Sequence, residues 1–160
     1  MPTGAPPRRP LVIGVGNSDR GDDGCGLEVA RAVRGPVGHD AEVVECAGNE
    51  LALLDLWDGG GLVIVVDAVR SGRPAGTIRR FEVGKDRLPT SASATSTHGL
   101  SLGEAFALGA SVGHLPERLV LYGIEVERFG IGEPMSAPVL AAVPEAARLV
   151  EAEVRAGRSR

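Results

Sequence analysis

Residues 11–26 read LVIGVGNSDRGDDGCG and are the most informative stretch of the chain. An apolar run over 11–15 stops at a glycine-rich turn, which delivers two adjacent acids, Asp22 and Asp23. A buried strand followed by such a turn is how an open α/β sheet presents polar side chains beyond a strand's carboxyl end. Because both side chains are acidic, the turn is suited to a cation or a proton and would repel a phosphate.

The same turn does not complete a dinucleotide-binding fingerprint. Gly14 and Gly16 begin the pattern GxGxxG, but Asp19 stands where the third glycine is required. The two acids would also repel a pyrophosphate at the helix N-terminus, which is where a dinucleotide-binding fold attracts it. Dinucleotide binding is therefore not expected.

Length, charge and cysteine usage favour an ordinary single domain. A chain of 160 residues can bury a sizeable core, and its net charge of −4 gives no basic footprint for nucleic acid. No apolar run approaches a membrane span, and the N-terminus lacks the apolar region of a secretory signal. Cys25 and Cys46 lack metal or redox spacing and are interpreted as reduced and buried. We expect a cytoplasmic protein with a disordered lead-in over 1–10, one α/β domain over 11–156 and a tail over 157–160.

Strand-like and helix-like segments alternate along the chain. Strands are predicted over 11–16, 41–46, 62–66, 77–83 and 118–125, and helices over 23–33, 51–57, 100–112 and 137–155, with a polar loop over 86–97. The run LVIVV at 62–66 lacks polar alternation, which is typical of a central strand covered on both faces. Pro144 is expected to kink or restart the last helix. This order predicts a single-domain three-layer α/β/α sandwich with a mostly parallel five-stranded twisted sheet.

Polar side chains with metal-binding potential follow three of the predicted strands. Asp22 and Asp23 follow the first strand, Asp67 follows the third in VIVVDAV, and His98 lies in the loop after the fourth, in STHGL. Ligands of open α/β sheets bind beyond the carboxyl ends of the strands, so these side chains are expected to converge. Two carboxylates and an imidazole form a mixed oxygen and nitrogen set that suits a divalent transition metal with open coordination positions.

Each of these residues also has a structural interpretation when it is taken alone. Asp22 could cap the following helix, and Asp23 could be a favourable first-turn acid. Asp67 could be a solvated loop acid, and His98 a surface hydrogen-bonding group. The metal-site interpretation depends on their combination at three separate strand ends.

At these residues the chain closely resembles the hydrogenase maturation proteases, which trim the C-terminus of the large subunit of nickel–iron hydrogenases. The resemblance covers residues 11–155 and rests on GVGNSDRGDDGCG at 14–26, VVDAV at 65–69, PAGT at 74–77, STHGLSL at 96–102 and YGIEVE at 122–127. It implies an endopeptidase that makes a single cut in a large-subunit precursor, a short distance past the last nickel-binding cysteine pair.

The resemblance also implies which residues act. In the family, the second acid of the first loop, the aspartate after the third strand and the histidine before the third helix form a metal site. These positions correspond to Asp23, Asp67 and His98, with Asn17 and Asp22 as supporting loop residues. The family often has Glu at the position of Asp23, and many members carry an Asp-Gly-Gly-Thr-like turn where this chain reads ECAGNE at 45–50.

Nickel is expected to come with the substrate, the large-subunit precursor, and to be recognised by Asp23, Asp67 and His98. On this interpretation the protein needs no permanent metal and no organic cofactor, and it binds neither nucleic acid nor membrane. Either the metal activates the water or the scissile carbonyl, or Asp23 or Asp67 acts as a general base in the manner of an aspartyl protease. Two alternatives are a small-molecule metallohydrolase with a resident zinc and a non-catalytic, nickel-dependent assembly chaperone.

Overall fold

Strands and helices alternate along the chain in the structure, a computed structural model that describes residues 8–47, 52–57, 61–91 and 102–158. The strands are β1 (Leu11–Gly16), β2 (Glu42–Ala47), β3 (Leu62–Arg70), β4 (Ile78–Glu82), β5 (Thr90–Ser91) and β6 (Arg118–Glu125). The helices are α1 (Cys25–Val37), α2 (Ala52–Leu56), α3 (Leu102–Ser111) and α4 (Ala137–Arg158). Short 3₁₀ helices, Gly21–Gly24 and Gly38–Asp40, flank α1.

The described strands lie in one sheet in the order β2-β1-β3-β6-β4. β1 pairs in parallel with both β2 and β3, β3 pairs in parallel with β6, and β4 is the antiparallel edge strand. The predicted mostly parallel five-stranded sheet is confirmed. Two residues that were predicted to lie in a polar loop form β5, which pairs antiparallel with the end of β3.

The sheet packs against helices on both faces through two apolar cores, because successive residues of a strand point to opposite faces. On one face Val12, Ile64 and Val66 pack with α1 and α4. On the other face Ile13 and Val65 pack with α2 and α3. The predicted three-layer α/β/α arrangement is confirmed.

β3 is longer than the sequence indicates. It was predicted to end at Val66, but its pairing with β6 continues through Asp67, opposite Gly123, to Val69. Asp67 is therefore inside the strand and fully buried, and its interpretation as a solvated loop acid is wrong. A single acid inside an apolar run is compatible with a strand when the neighbouring strand continues beside it.

α4 continues through Pro144 from Ala137 to Arg158, so the predicted restart of the helix is wrong. Pro144 is exposed, and it gives no N–H to the Leu140 carbonyl four residues earlier.

We expect Pro144→Ala to raise the free energy of unfolding by about 1–2 kcal/mol, as measured by urea denaturation. Pro134→Ala, in an exposed loop, is the control and should give no gain; an unchanged or lower value for Pro144→Ala would contradict the expectation.

The described residues begin at residue 8 and end at residue 158, close to the predicted domain boundaries. The Pro10 carbonyl accepts a hydrogen bond of 2.9 Å from the Glu42 N–H, just before β1 pairs with β2. Residues 1–7, 159 and 160 lie outside the described residues, so the disordered lead-in and the tail stay predictions. Among the described helices, none combines the length and apolarity that crossing a membrane requires.

Candidate active site

The carboxyl ends of β1 and β3 form the crevice in which this type of sheet binds ligands. From β1 the chain passes to β2 through α1, which packs on one face of the sheet, and it then passes to β3 through α2, on the other face. In the order β2-β1-β3-β6-β4 the chain leaves β1 toward one edge of the sheet and leaves β3 toward the other, which makes a topological switch point between them. The first loop follows β1 directly, and Asp67 lies near the end of β3.

The first loop closes on itself through main-chain hydrogen bonds. The Asn17 N–H donates to the Asp23 carbonyl at 3.2 Å, and the Asp23 N–H donates to the Arg20 carbonyl at 3.0 Å. The Asn17 side-chain oxygen accepts the Asp19 N–H at 2.9 Å, which is an Asx-turn. A Cβ on Gly16 would lie 2.0 Å from the Asp23 carbonyl oxygen, so this close approach requires glycine.

Asp22 binds the segment between β6 and α4 rather than its own helix. Its Oδ2 accepts the N–H groups of Glu127 and Arg128 at 3.0 and 2.9 Å. Ser136 donates its N–H to Oδ1 at 2.6 Å and its hydroxyl to Oδ2 at 2.8 Å. Neither the 3₁₀ helix nor α1 has a side-chain cap, so the interpretation of Asp22 as a cap of the following helix is wrong.

The charge state of Asp22 follows from these bonds. Burial alone would raise the pKa of the Asp22 carboxyl, but the hydrogen bonds from Ser136, Arg128 and Glu127 outweigh it and the pKa lies below its ordinary value. Ser136 immediately precedes α4, so the carboxylate also lies at the positive end of that helix. Asp22 is thus an ionised structural carboxylate that joins the first loop to the segment after β6.

Asp23 and Asp67 are both buried near the start of α1. Asp23 is 5% exposed and Asp67 is 0% exposed. Burial raises the pKa of the Cys25 thiol well above its ordinary value, and the charges of Asp67, Asp23 and Asp22 raise it further. The three carboxylates therefore lie within electrostatic range of the first residue of α1.

α1 approaches the sheet closely enough to hold these acids together. A Cβ on Gly26 would lie 2.3 Å from the Val15 carbonyl oxygen and 2.4 Å from that of Val66, the residue before Asp67. A Cβ on Gly14, in β1, would lie 2.3 Å from the Gly26 carbonyl oxygen. The two glycines therefore let the first turn of α1 rest directly on β1 and β3.

Asp23 and Asp67 thus both lie buried near the start of α1, and hydrogen bonds of Asn17 and Asp22 hold the loop that carries Asp23. His98 lies outside the described residues, and its place in the predicted site stays a prediction. Within 8–47, 52–57, 61–91 and 102–158, no group of three or more His, Cys, Asp or Glu side chains is arranged to hold a metal ion. Asp23 and Asp67 provide carboxylate oxygens, which are suitable ligands for a divalent transition metal once a nitrogen ligand joins them.

Neither Cys25 nor Ser111 fits the role of a catalytic nucleophile. The raised pKa of Cys25 keeps it as a thiol, and both cysteines are buried and outside any disulfide, as predicted. Residues 109–113 read GASVG, which matches the pattern of a nucleophile elbow, but Ser111 ends α3 and donates its hydroxyl to the Leu108 carbonyl at 2.8 Å. A nucleophile elbow needs a strand before the serine.

Two polar residues near the crevice were not predicted from the sequence. Ser136 donates to Asp22, and Glu125, buried at the end of β6, accepts the Ser71 N–H and hydroxyl, both at 2.7 Å, and the Gly72 N–H at 3.0 Å. A serine directly before a helix and an acid at the end of an apolar strand are local signals that could have singled them out. Their partners lie more than 50 residues away along the chain, which local patterns do not show.

The segment ECAGNE at 45–50, which differs from the turn that many members of the family carry, begins with Glu45. Glu45, in β2, forms ion pairs with Arg31 at 2.8 Å and with Arg34 at 3.5 Å. Hydrogen bonds from Arg31 lower the pKa of the Glu45 carboxyl. Glu45 is therefore engaged on the outside of α1, while residues 48–50 lie outside the described residues.

Comparisons with known proteins agree with this architecture. A family model described as hydrogenase maturation protease matches residues 39–153. The hydrogenase expression/formation protein HupD of Rhizobium leguminosarum bv. viciae is 31% identical, over 99% of this chain and 79% of that protein. The HycI maturation protease structure from Thermococcus kodakarensis KOD1 has a TM-score of 0.70 and 26% identity, with 92% of each chain covered. The maturating endopeptidase HybD of E. coli has a TM-score of 0.77 and 22% identity, over 92% of this chain and 93% of that one. The chain belongs to the hydrogenase maturation protease family and is a peptide hydrolase.

Proposed function

We propose that this protein removes the C-terminal extension of a nickel–iron hydrogenase large-subunit precursor after nickel has been inserted. The observation that carries the proposal is the burial of Asp23 and Asp67 at the crevice between β1 and β3, in a chain of this family. Two buried carboxylates at the ligand-binding end of a parallel sheet are typical of a functional site and favour a cationic substrate group.

Asp23, Asp67 and His98 contact the nickel ion of the bound precursor in this proposal. Two carboxylates and one imidazole complete an ion that still has open coordination positions. Recognition therefore depends on whether the precursor has been loaded, and the protease holds no metal of its own. The Asp22 carboxylate is already bound by Ser136 and the N–H groups of Glu127 and Arg128, so in this proposal it takes no part in coordination.

Peptide hydrolysis then needs a water molecule and a base beside the bound ion. The precursor's ion supplies electrophilic polarisation of the scissile carbonyl. Asp23 or Asp67 accepts a proton from the attacking water as its oxygen bonds to the scissile carbonyl carbon; the C–N bond then breaks, and the proton passes to the leaving amine. The burial of both carboxylates keeps bulk solvent away from the reacting atoms and strengthens these interactions.

The identity of the metal tests the recognition step. Precursor loaded with nickel should be cleaved at least about ten times faster than precursor loaded with zinc, which corresponds to roughly 1.4 kcal/mol of discrimination. Equal rates would contradict recognition of nickel. A stoichiometric metal in the purified protease would favour the metallohydrolase alternative instead, whereas stable binding without cleavage would favour the assembly chaperone.

His98→Ala should reduce cleavage of the nickel-loaded precursor at least about 10-fold to 100-fold, because it removes the only nitrogen ligand of the proposed set. Steady-state rates from mass spectrometry of the product measure this change. His39→Ala is the matched control, because His39 lies exposed in the Gly38–Asp40 turn. Equal activity of the two variants would remove His98 from the proposed site.

A further inference from the structure

We propose that Asp22 is a positioning residue, which orients Asp23 by fixing the Gly21–Gly24 turn against the segment that follows β6. This inference rests on the proposed function, in which Asp23 contacts the nickel of the precursor. Asp22 itself is already engaged by four hydrogen bonds. Its Oδ2 accepts the N–H groups of Glu127 and Arg128 and the Ser136 hydroxyl, and its Oδ1 accepts the Ser136 N–H.

The geometry of the turn links the two adjacent acids. In a 3₁₀ helix successive side chains leave the axis about 120° apart, so Asp22 and Asp23 cannot point the same way. Fixing the direction of Asp22 therefore fixes the rotation of the turn about its axis, and with it the direction of Asp23. The structure shows this separation, because Asp22 bonds to the segment after β6 and to the residue that precedes α4.

The main chain of the turn is held at the same time. The Asp22 N–H donates to the Arg128 carbonyl at 2.7 Å, while the Arg128 N–H donates back to the Asp22 carboxylate at 2.9 Å. On the other side, the N–H and the carbonyl of Asp23 bond to Arg20 and Asn17 at 3.0 and 3.2 Å. With the backbone held on both sides, loss of the Asp22 side-chain bonds would release one side only.

The charge of Asp22 is compensated where it lies. Four donors and the positive end of α4, a helix of 22 residues, stabilise the carboxylate. An ionised group can therefore remain next to Asp23 because these donors and the helix terminus stabilise its charge. A neutral side chain of the same shape, such as asparagine, would keep the packing. It would lack the negative charge that these donors stabilise and one of the two oxygens that accept their hydrogen bonds.

Asp22→Asn tests the inference with two readouts. Its amide nitrogen cannot accept a hydrogen bond, so at least the Ser136 N–H loses its partner. Amide hydrogen exchange, followed by NMR at a temperature where the variant is folded, should be at least about ten times faster at Asp23, with Val33 in α1 unchanged. The kcat for nickel-loaded precursor should fall about 100-fold, with KM changed much less, since a small misplacement of a reacting group has this effect.

Ser136→Ala removes one of the four bonds and should show the same changes to a smaller degree. Ser111→Ala, which removes an exposed hydroxyl from the end of α3, is the matched control and should behave as wild type. A lower melting temperature for Asp22→Asn, with wild-type exchange at Asp23 and wild-type kcat, would make Asp22 merely structural and overturn the inference. If wild-type protein leaves the precursor uncut, the proposed function fails, and the exchange at Asp23 alone decides the inference: faster exchange supports it and unchanged exchange overturns it.

Discussion

Asp67→Asn is expected to lower the cleavage of nickel-loaded precursor by about 10²–10⁴-fold, the usual range for loss of a general base. The amide has the shape of the carboxylate, but it is a neutral ligand and cannot take a proton from water. Asp67 is fully buried in β3, beside the start of α1 and within electrostatic range of Cys25. Initial rates followed by intact mass spectrometry measure the effect.

The stability of the same variant separates a functional acid from a structural one. Asp22, Asp23 and Asp67 carry like charges near one another, so removing the charge of Asp67 relieves repulsion. The melting temperature should stay at or above the wild-type value, as is common for functional groups held in unfavourable surroundings. Asp55→Asn, on the exposed side of α2, is the control for both measurements. Unfolding of Asp67→Asn with retained activity in its folded fraction would mark Asp67 as structural.

Gly26→Ala is expected to lower the free energy of unfolding by about 3 kcal/mol or more. The added methyl group would lie 2.3 and 2.4 Å from the carbonyl oxygens of Val15 and Val66, which belong to two central strands. Backbone atoms of a packed sheet cannot move aside as a flexible side chain can. Thermal unfolding should show a decrease of about 6–12 °C for a domain of this size.

Gly35→Ala is the matched control for this prediction, because it lies in the same helix and nothing beyond its own helix backbone and chain neighbours lies within 4 Å of an added Cβ. It should change the free energy of unfolding by less than about 1 kcal/mol, since alanine favours the helix over glycine but its Cβ crowds the following Pro36. A large loss for Gly26→Ala beside a small change for Gly35→Ala would show that close approach to the sheet, and not helix propensity, sets the requirement at Gly26. A wild-type melting temperature for Gly26→Ala would contradict the packing of α1 on β1 and β3.

Periodicity was sufficient to predict most elements of the fold. β1 and β6 have their predicted boundaries, because an apolar run bounded by glycine, proline or charged residues is a local signal. The end of β3 was wrong because Asp67 interrupts the apolar pattern while the pairing with β6 continues past it. The two residues of β5 form a strand only because they meet β3, a tertiary contact without a local pattern.

The candidate site was predictable in part for the same reasons. Asp23 and Asp67 follow from the rule that ligands bind at the carboxyl ends of strands, together with the family resemblance. The partners of Asp22 were not predictable, because Glu127 and Ser136 are 105 and 114 residues away along the chain. A carboxylate next to a helix was interpreted as its cap, whereas the folded chain offers stronger donors from the segment after β6.

The most direct test is the intact mass of the large-subunit precursor after incubation with this protein, with nickel inserted and without it. The account predicts that the nickel-loaded precursor loses one C-terminal peptide while the nickel-free precursor keeps its full mass. An unchanged mass for the nickel-loaded precursor would contradict the proposed cleavage. Equal cleavage of both forms would contradict recognition of nickel by Asp23, Asp67 and His98.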